Sequence, residues 1–263
     1  MMHVLVINAA VLALAMLVLW RIAVRIGDVS FVDAVWAGGM AGLALLTLAQ
    51  VGADAPLRAV LIAAATTIWG VRLALHLYRR WRANGEDPRY ARILGKAKAE
   101  GRFAIAALTI VFAMQGVLLY LTCLPAQLGI LAPGQGAPGA LVAAGALLWL
   151  VGFVFESVGD AQLARFRADP ANKGKVLDTG LWRYTRHPNY FGDTCVWWGI
   201  WLMAADAGLP VALAGLIGPV FLTFTLTKWS GKPMLERGMA KRRPDYAEYV
   251  RRTSGFIPLP PRK

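Results

Sequence analysis

Residues 59–82 read AVLIAAATTIWGVRLALHLYRRWR, and the reading of this stretch decides the rest. Ala59 to Tyr78 supplies the roughly 20 mostly apolar residues that a helix needs to cross the hydrocarbon of a bilayer. It holds a single arginine, Arg72, and stops on Arg79, Arg80 and Arg82. An apolar rod closed by a basic cluster is the pattern of a span that ends on the cytoplasmic side. The pattern repeats outward in both directions, with further apolar runs at 4–22, 31–51, 104–122, 139–158, 195–205 and 209–228. The expected fold is all-α and polytopic: a single integral membrane domain over residues 1–263, about seven transmembrane helices, and a cytosolic helical and loop cap from the tail 229–263. The run at 195–205 is short, and the alternative to seven spans is six.

The composition fits this reading. Apolar residues make up 57% and charged residues 16% of the chain, with a mean hydropathy of +0.51; water-soluble domains run at roughly half and a quarter. Disorder, collagen and a small disulfide scaffold are excluded. A formal charge of +13 would suit a nucleic-acid binder if the basic residues were spread over a soluble surface. They are not, and no nucleic-acid partner is expected. Of 28 Lys and Arg, 26 follow the first, third and fifth runs or lie in the tail from Lys228; Arg58 and Arg72 are the other two. Retention of Lys and Arg in the cytoplasm then sets the N-terminus outside and the C-terminus inside.

Met1 to His3 offers no basic n-region and the first run no small-residue cleavage site, so that run reads as a retained helix. Cys123 and Cys195 fall at opposite membrane ends of their spans and are expected as free thiols. Gly134, Gly136 and Gly139 spell a dinucleotide-binding fingerprint, but in an uncharged outer loop rather than between a strand and a helix, and the motif is set aside.

Ionisable groups inside spans cost on the order of 2.5 to 3.5 kcal/mol each and need partners. Here they are Asp33, Arg72 with His76 and Tyr78 beyond it, Glu156 and Asp160, all in the half facing the basic loops. Arg72 can snorkel to headgroups, pair with Asp33 or Glu156, or hold a phosphate. Asp33 can simply complement a helix dipole. Glu156, Asp160 and Arg167 recur at four and seven residues along one helical face. The run Gly180 to Asp193 follows, in which Pro188 suits the first turn of a new helix, Asn189 and Asp193 project together, and Arg186 and His187 sit at a helix N-terminus that favours an anion. Cation, amide, hydroxyl and carboxylate so grouped form a receptor for a polar nucleotide. In the tail, Lys241-Arg242-Arg243 interleaved with acidic and aromatic residues favours a folded cap over simple lipid contact.

The run Arg186-His187-Pro188-Asn189-Tyr190-Phe191-Gly192-Asp193 resembles the RHPxYxG(E/D) signature shared by steroid 5-alpha-reductases, sterol reductases, and isoprenylcysteine and phospholipid methyltransferases. With Ser30 to Trp36, Trp69 to Arg72, Asp87 to Tyr90 and Arg252-Thr253-Ser254, nearly the whole chain is similar to the bacterial steroid-5-alpha-reductase-like family of unknown function. The resemblance implies an inner-membrane location and NADPH bound from the cytosol by Arg72, Asp160, Arg167, Tyr184, Arg186, His187, Asn189, Asp193 and Tyr249. It implies hydride delivery to a carbon–carbon double bond conjugated to a carbonyl, with a donor on the developing enolate oxygen in a dry pocket. The reductases draw that donor from a Glu of span two and a Tyr of span three. Here those positions fall on Ala34, beside Asp33, and on Trp69, so Asp33 with Tyr78 or His76 is the expected catalytic set. The leading expectation is an NADPH-dependent reductase of a lipophilic enone, sterol-like or isoprenoid substrate entering from the bilayer lipid. The alternative is an S-adenosylmethionine-dependent lipid or isoprenylcysteine methyltransferase, less suited to an Arg-rich pocket because its cofactor is cationic and carries no phosphate. A noncatalytic scaffold or a channel fits less well.

Overall fold

The structure is a computed structural model and describes every residue except Gln135, Gly136, Ser230, Pro244 and Lys263. Six helices are long and apolar enough to cross a membrane: α1 (Met2–Ile26), α2 (Val32–Val51), α3 (Leu57–Asn84), α5 (Phe103–Thr122), α7 (Ala140–Ala168) and α9 (Leu209–Trp229). Between them lie α4 (Pro88–Ala99), α6 (Leu124–Leu131) and α8 (Pro188–Ala205), and the tail carries α10 (Lys232–Arg242) and α11 (Tyr246–Arg252). Among the described residues there is no strand, only one bridge pair, Thr185 with Ser254. The chain is an all-helical integral membrane protein.

The expected count of seven spans is not confirmed, and the difference lies at 195–205. That stretch begins earlier, at Pro188, which occupies the first turn of α8. Asn189 and Asp193 sit in its first two turns, and most of its length is buried among other helices. The residues 123–138, read as an outer loop, contain α6, of which Pro125 to Ile130 are buried. Of the glycines set aside above, Gly136 lies outside the described residues, Gly134 packs near Arg58, and the Gly139 amide donates to Asp206 Oδ2 at 3.2 Å. Cys123 and Cys195 are unbonded and buried, as expected.

Large apolar side chains cover the outward faces, with Val6, Leu14 and Val18 on α1, Leu147 and Val154 on α7, and Leu209 and Leu213 on α9 all exposed. In water such a surface would drive aggregation; against lipid it costs nothing. The interior is closed by Met40, Ile62, Trp69, Phe112, Leu119, Trp197, Ile200 and Met203. At the end away from the basic clusters, buried Asn8 donates to Thr47 Oγ1 (2.8 Å) and Gln127 Oε1 (2.9 Å) and accepts from Gln50 (2.8 Å). These amides tie α1, α2 and α6 together, each such bond contributing about 0.6 to 2 kcal/mol within a membrane.

The most extensive helix pair is α7 with α8. Gly145 and Gly152 on α7 face Gly199 and Gly192 on α8, and a Cβ at any of the four would stand 2.5 to 2.6 Å from the carbonyl oxygen of its partner. Small residues let two backbones approach this closely, which is the main source of helix association where lipid competes equally for apolar side chains. Lower on the same face Gly159 meets Pro188 and Asn189.

Gly152→Ala should therefore destabilise the protein by about 1 to 3 kcal/mol, because the obstructing atoms are backbone and cannot rotate away. Thermal unfolding in detergent checks this against Gly42→Ala, where a Cβ meets nothing within 4 Å. A lowered midpoint is expected for the first and an unchanged or raised one for the second.

Candidate functional site

The seam sets α7 and α8 against one face of α3, which carries Trp69, Arg72, His76 and Arg80 at helical spacing. Arg72 is the hub. Its Nη2 lies 3.0 Å from Glu156 Oε1 and its Nη1 2.7 Å from Asp160 Oδ2. The Trp69 indole donates to Glu156 Oε2 at 2.7 Å, and the Asn189 amide donates to Asp160 Oδ1 at 3.1 Å. His76 Nε2 is 3.9 Å from Asp160 Oδ2. The Arg72 guanidinium also lies over the Phe153 ring, 5.8 Å from its centroid. Arg72 thus pairs inward, with Glu156 and Asp160 and not with Asp33. Asp193 is buried beside this cluster, and its Oδ1 has no hydrogen-bond partner among the described residues; neither does the buried Trp197 indole nitrogen.

Asp33 belongs to a second cluster nearer the basic end. It accepts from Arg89 Nη2 at 2.5 Å and from the Tyr90 hydroxyl at 2.7 Å, with Arg80 Nη2 at 3.5 Å. Burial, reinforced by the Asp33 charge, pushes the Tyr90 phenol far above its ordinary value, so it remains a donor. Asp87 caps α4 through the Arg89 amide (2.9 Å) and Pro88 fills the next position, which fixes Arg89 and Tyr90 in the first turn. Tyr78 is 47% exposed and packs on Trp81, apart from Asp33.

A third group holds the tail. Arg186 Nε donates to Glu236 Oε1 at 2.9 Å and Arg186 Nη1 to the Thr253 carbonyl at 2.6 Å. His187 Nε2 is 3.0 Å from the same Glu236 oxygen, and its ring stacks on Tyr190. Tyr249 donates to the Trp182 carbonyl at 2.5 Å, and the Arg186 amide bonds the Ser254 carbonyl at 2.9 Å. Tyr184 is exposed, its carbonyl accepting from the Leu259 amide. Burial raises the Glu236 carboxyl, but the hydrogen bonds from His187 and Arg186 outweigh it and hold it down at about 2. Burial also lowers the His187 imidazole below its ordinary 6.5, only partly offset by Glu236.

Of the residues expected to form one site, the structure brings together Arg72, His76, Asp160, Asn189 and Asp193. Arg186, His187 and Tyr249 are spent on the tail clamp, and Asp33 on the α2–α4 contact. Arg167, at the end of α7, borders a cavity of about 250 Å³ that Lys173 and Arg243 also line. Trp69, Arg80, Arg89 and Tyr90 went unassigned from sequence; the Asp87-Pro88 cap was the signal that could have placed the last two.

Three comparisons bear on this architecture. The family model described as protein of unknown function (DUF1295) matches residues 19–253, and the chain belongs to that family. An uncharacterized protein of Schizosaccharomyces pombe is 24% identical over 271 residues, covering 92% of this chain and 76% of the other. A probable O-methyltransferase, ustE, of Ustilaginoidea virens is 31% identical over 128 residues, covering 48% of this chain and 42% of the other. No solved structure matches the chain.

Two outcomes follow from the geometry. Arg72→Met leaves Glu156 and Asp160 without their shared cation and should cost about 3 to 5 kcal/mol, the usual consequence of stranding buried charge; the thermal midpoint of the purified protein reads this, and adding Glu156→Gln should recover part of it. The tail clamp should loosen on acidification in two stages. His187 has a lowered folded pKa, so its contribution is complete above 6.5 and fades as pH falls below it. Glu236, also lowered, withdraws its contribution only between its ordinary 4.5 and about 2. Hydrogen exchange of residues 246–256 should rise first below pH 6.5, and His187→Gln should remove that first stage.

Proposed function

We propose that this protein is a membrane-embedded, NADPH-dependent reductase of a lipophilic enone, sterol-like or isoprenoid substrate that enters from the bilayer. The observation that carries the reading is a gradient of polarity along one face of α3. Deep in the bundle lie carboxylates and an amide, including the unpartnered Asp193 oxygen; toward the basic end lie Arg167 and Arg243, within electrostatic range of each other, with Arg80 and Arg89 near them and paired to Asp33 and Asp87. A dinucleotide has matching ends, a neutral carboxamide whose N–H groups would satisfy Asp193 and a phosphate-bearing end that calls for arginine. NADPH so held supplies a hydride.

The chain's own groups then do the remaining work. Arg72 fixes Glu156 and Asp160, and Asp160 fixes Asn189, so the polar lining is rigid before any ligand arrives. Trp69 and Trp197, edge to face at 5.3 Å, close the deep side against water. His76, next to Asp160 and partly exposed, takes the role of donor to the acceptor's carbonyl oxygen; Tyr78 faces outward and Asp33 is occupied by Arg89 and Tyr90. On this reading the basic end faces the cytoplasm and the N-terminus the outside, as the distribution of Lys and Arg supports, and the family resemblance supports a bacterial inner membrane as the location.

A second reading, an S-adenosylmethionine-dependent methyltransferase, draws support from the relative with a methyltransferase name and from three buried carboxylates, Glu156, Asp160 and Asp193, of which Arg72 pairs only the first two; a sulfonium would suit the surplus negative charge. Calorimetry on detergent-purified protein separates the two. Saturable NADPH binding, weakened tenfold or more by Asn189→Ala and followed by oxidation on adding a lipophilic enone, is the expected result. Binding of S-adenosylmethionine with none of NADPH would replace the first reading by the second.

A further inference from the structure

We propose that the cavity bounded by the end of α7, the turn after it and the C-terminal end of α10 is a receptor for a phosphate monoester, occupied by the ribose 2′-phosphate of the dinucleotide. The inference rests on the reductase reading and goes beyond it, because it gives the basis of choice between phosphorylated and unphosphorylated cofactor. The cavity holds about 250 Å³ and is lined by Phe166, Arg167, Asp169, Asn172, Lys173 and Arg243, together with Pro170 and Gly174. Three of these are cations brought from separate segments. Arg167 and Arg243 make no ion pair with a carboxylate among the described residues, and neither does Lys173.

The single acid at the rim does not neutralise them. Asp169 turns its Oδ1 onto the Ala171 amide at 2.9 Å and its Oδ2 toward the Asn172 side chain at 3.4 Å, so it is engaged in forming its own turn. Arg80, also within electrostatic range of Arg167, is paired with Asp33 and Asp87 and adds no free charge, so Arg167, Lys173 and Arg243 remain the unpaired cations of the cavity. Converging guanidinium groups repel one another, and a dianion between them removes that repulsion while accepting several charge-assisted hydrogen bonds. Phe166 adds an aromatic ring to the lining beside the charges, a group that suits a nucleoside rather than inorganic phosphate alone. Arg186, the cation that the sequence motif would nominate, is unavailable because Glu236 and the Thr253 carbonyl already hold it.

The test uses fragments on the full chain in nanodiscs of neutral lipid. Adenosine 2′,5′-bisphosphate should bind about tenfold or more tightly than adenosine 3′,5′-bisphosphate, which has the same charge in the wrong place. Lys173→Ala at an exposed position and Arg243→Ala at a half-buried one whose side chain makes no ion pair among the described residues should each bring the ratio toward one while leaving the thermal midpoint unchanged. Equal affinity for the two isomers in the unaltered protein overturns the proposal. If nanodiscs containing phosphatidic acid abolish fragment binding where equally charged phosphatidylglycerol does not, the phosphate belongs to a lipid headgroup and the nucleotide assignment is overturned. Equal isomer affinity with NADPH still bound and oxidised would sink the cavity and spare the reductase reading; binding of S-adenosylmethionine in place of every nucleotide phosphate would sink that reading itself.

Discussion

The near-contact of the α7 and α8 backbones is the constraint from which the site follows. Glycines at 145 and 152, and at 192 and 199, are spaced by seven, so the same stripe returns to the interface every two turns. With no Cβ in the way, the Glu156 amide and the Gly192 carbon approach so closely that a side chain at 192 would collide with it. The carboxylates that follow on α7 are thereby delivered to the first turns of α8. Asp160 meets Asn189 because the helices have nowhere else to place them. A wider interface filled with leucines would hold the helices together in water, but in lipid it would have no advantage over exposure to the bilayer.

Close packing of this kind creates an electrostatic debt that Arg72 answers. Glu156, Asp160 and Asp193 are all buried, and a medium without water leaves them dependent on protein donors. The arginine fork suits two carboxylates at once, which a lysine would do poorly. The Trp69 indole and the Asn189 amide complete the coordination of the remaining oxygens. Among the groups left over are an acceptor, the Asp193 Oδ1, and a donor, the Trp197 N–H, with Ser157 Oγ and Thr194 Oγ1 on the same two helices also lacking a hydrogen-bond partner among the described residues. Polar groups in that state mark where a ligand or bound water completes the structure.

The apolar runs, the basic end, the shared face of Glu156 and Asp160 and that of Asn189 and Asp193 were legible in the chain because each depends on local pattern: apolar run length, charge at run ends, and helical spacing; the grouping of Arg72 and Asp160 with Asn189 and Asp193 followed from the family resemblance alone. The run at 195–205, expected as a short sixth span, is not among the six candidate spans, because α8 is buried in protein over most of its length and begins with polar residues, so an apolarity criterion sees only its second half. The 124–131 helix was missed for the opposite reason, being too short to register as anything but loop. Asp33 was assigned to catalysis because it falls beside the Glu position of the family it resembles, whereas its partners Arg89 and Tyr90 lie more than fifty residues away and become neighbours only when α4 folds back. The glycine stripe was present in the sequence throughout, but its meaning depends on pairing two stripes in separate helices, which spacing alone does not establish.

The most distinctive run of the chain, Arg186-His187-Pro188, turns out to serve closure of the fold. Arg186 and His187 converge on Glu236, the amide of Arg186 bonds Ser254, and Pro188 begins the helix that carries the glycine stripe. These contacts hold the tail across the basic end and aim Asn189 and Asp193 inward. A membrane enzyme of either chemistry needs that arrangement, since hydride and methyl transfer alike require a cofactor admitted from one end and a lid that excludes water. The run therefore speaks to architecture, and the two proposed chemistries differ elsewhere: at the cations around Arg167, since phosphate and sulfonium make opposite demands, and at the unpartnered Asp193 and Trp197 groups, which a carboxamide and a methionine tail would satisfy differently.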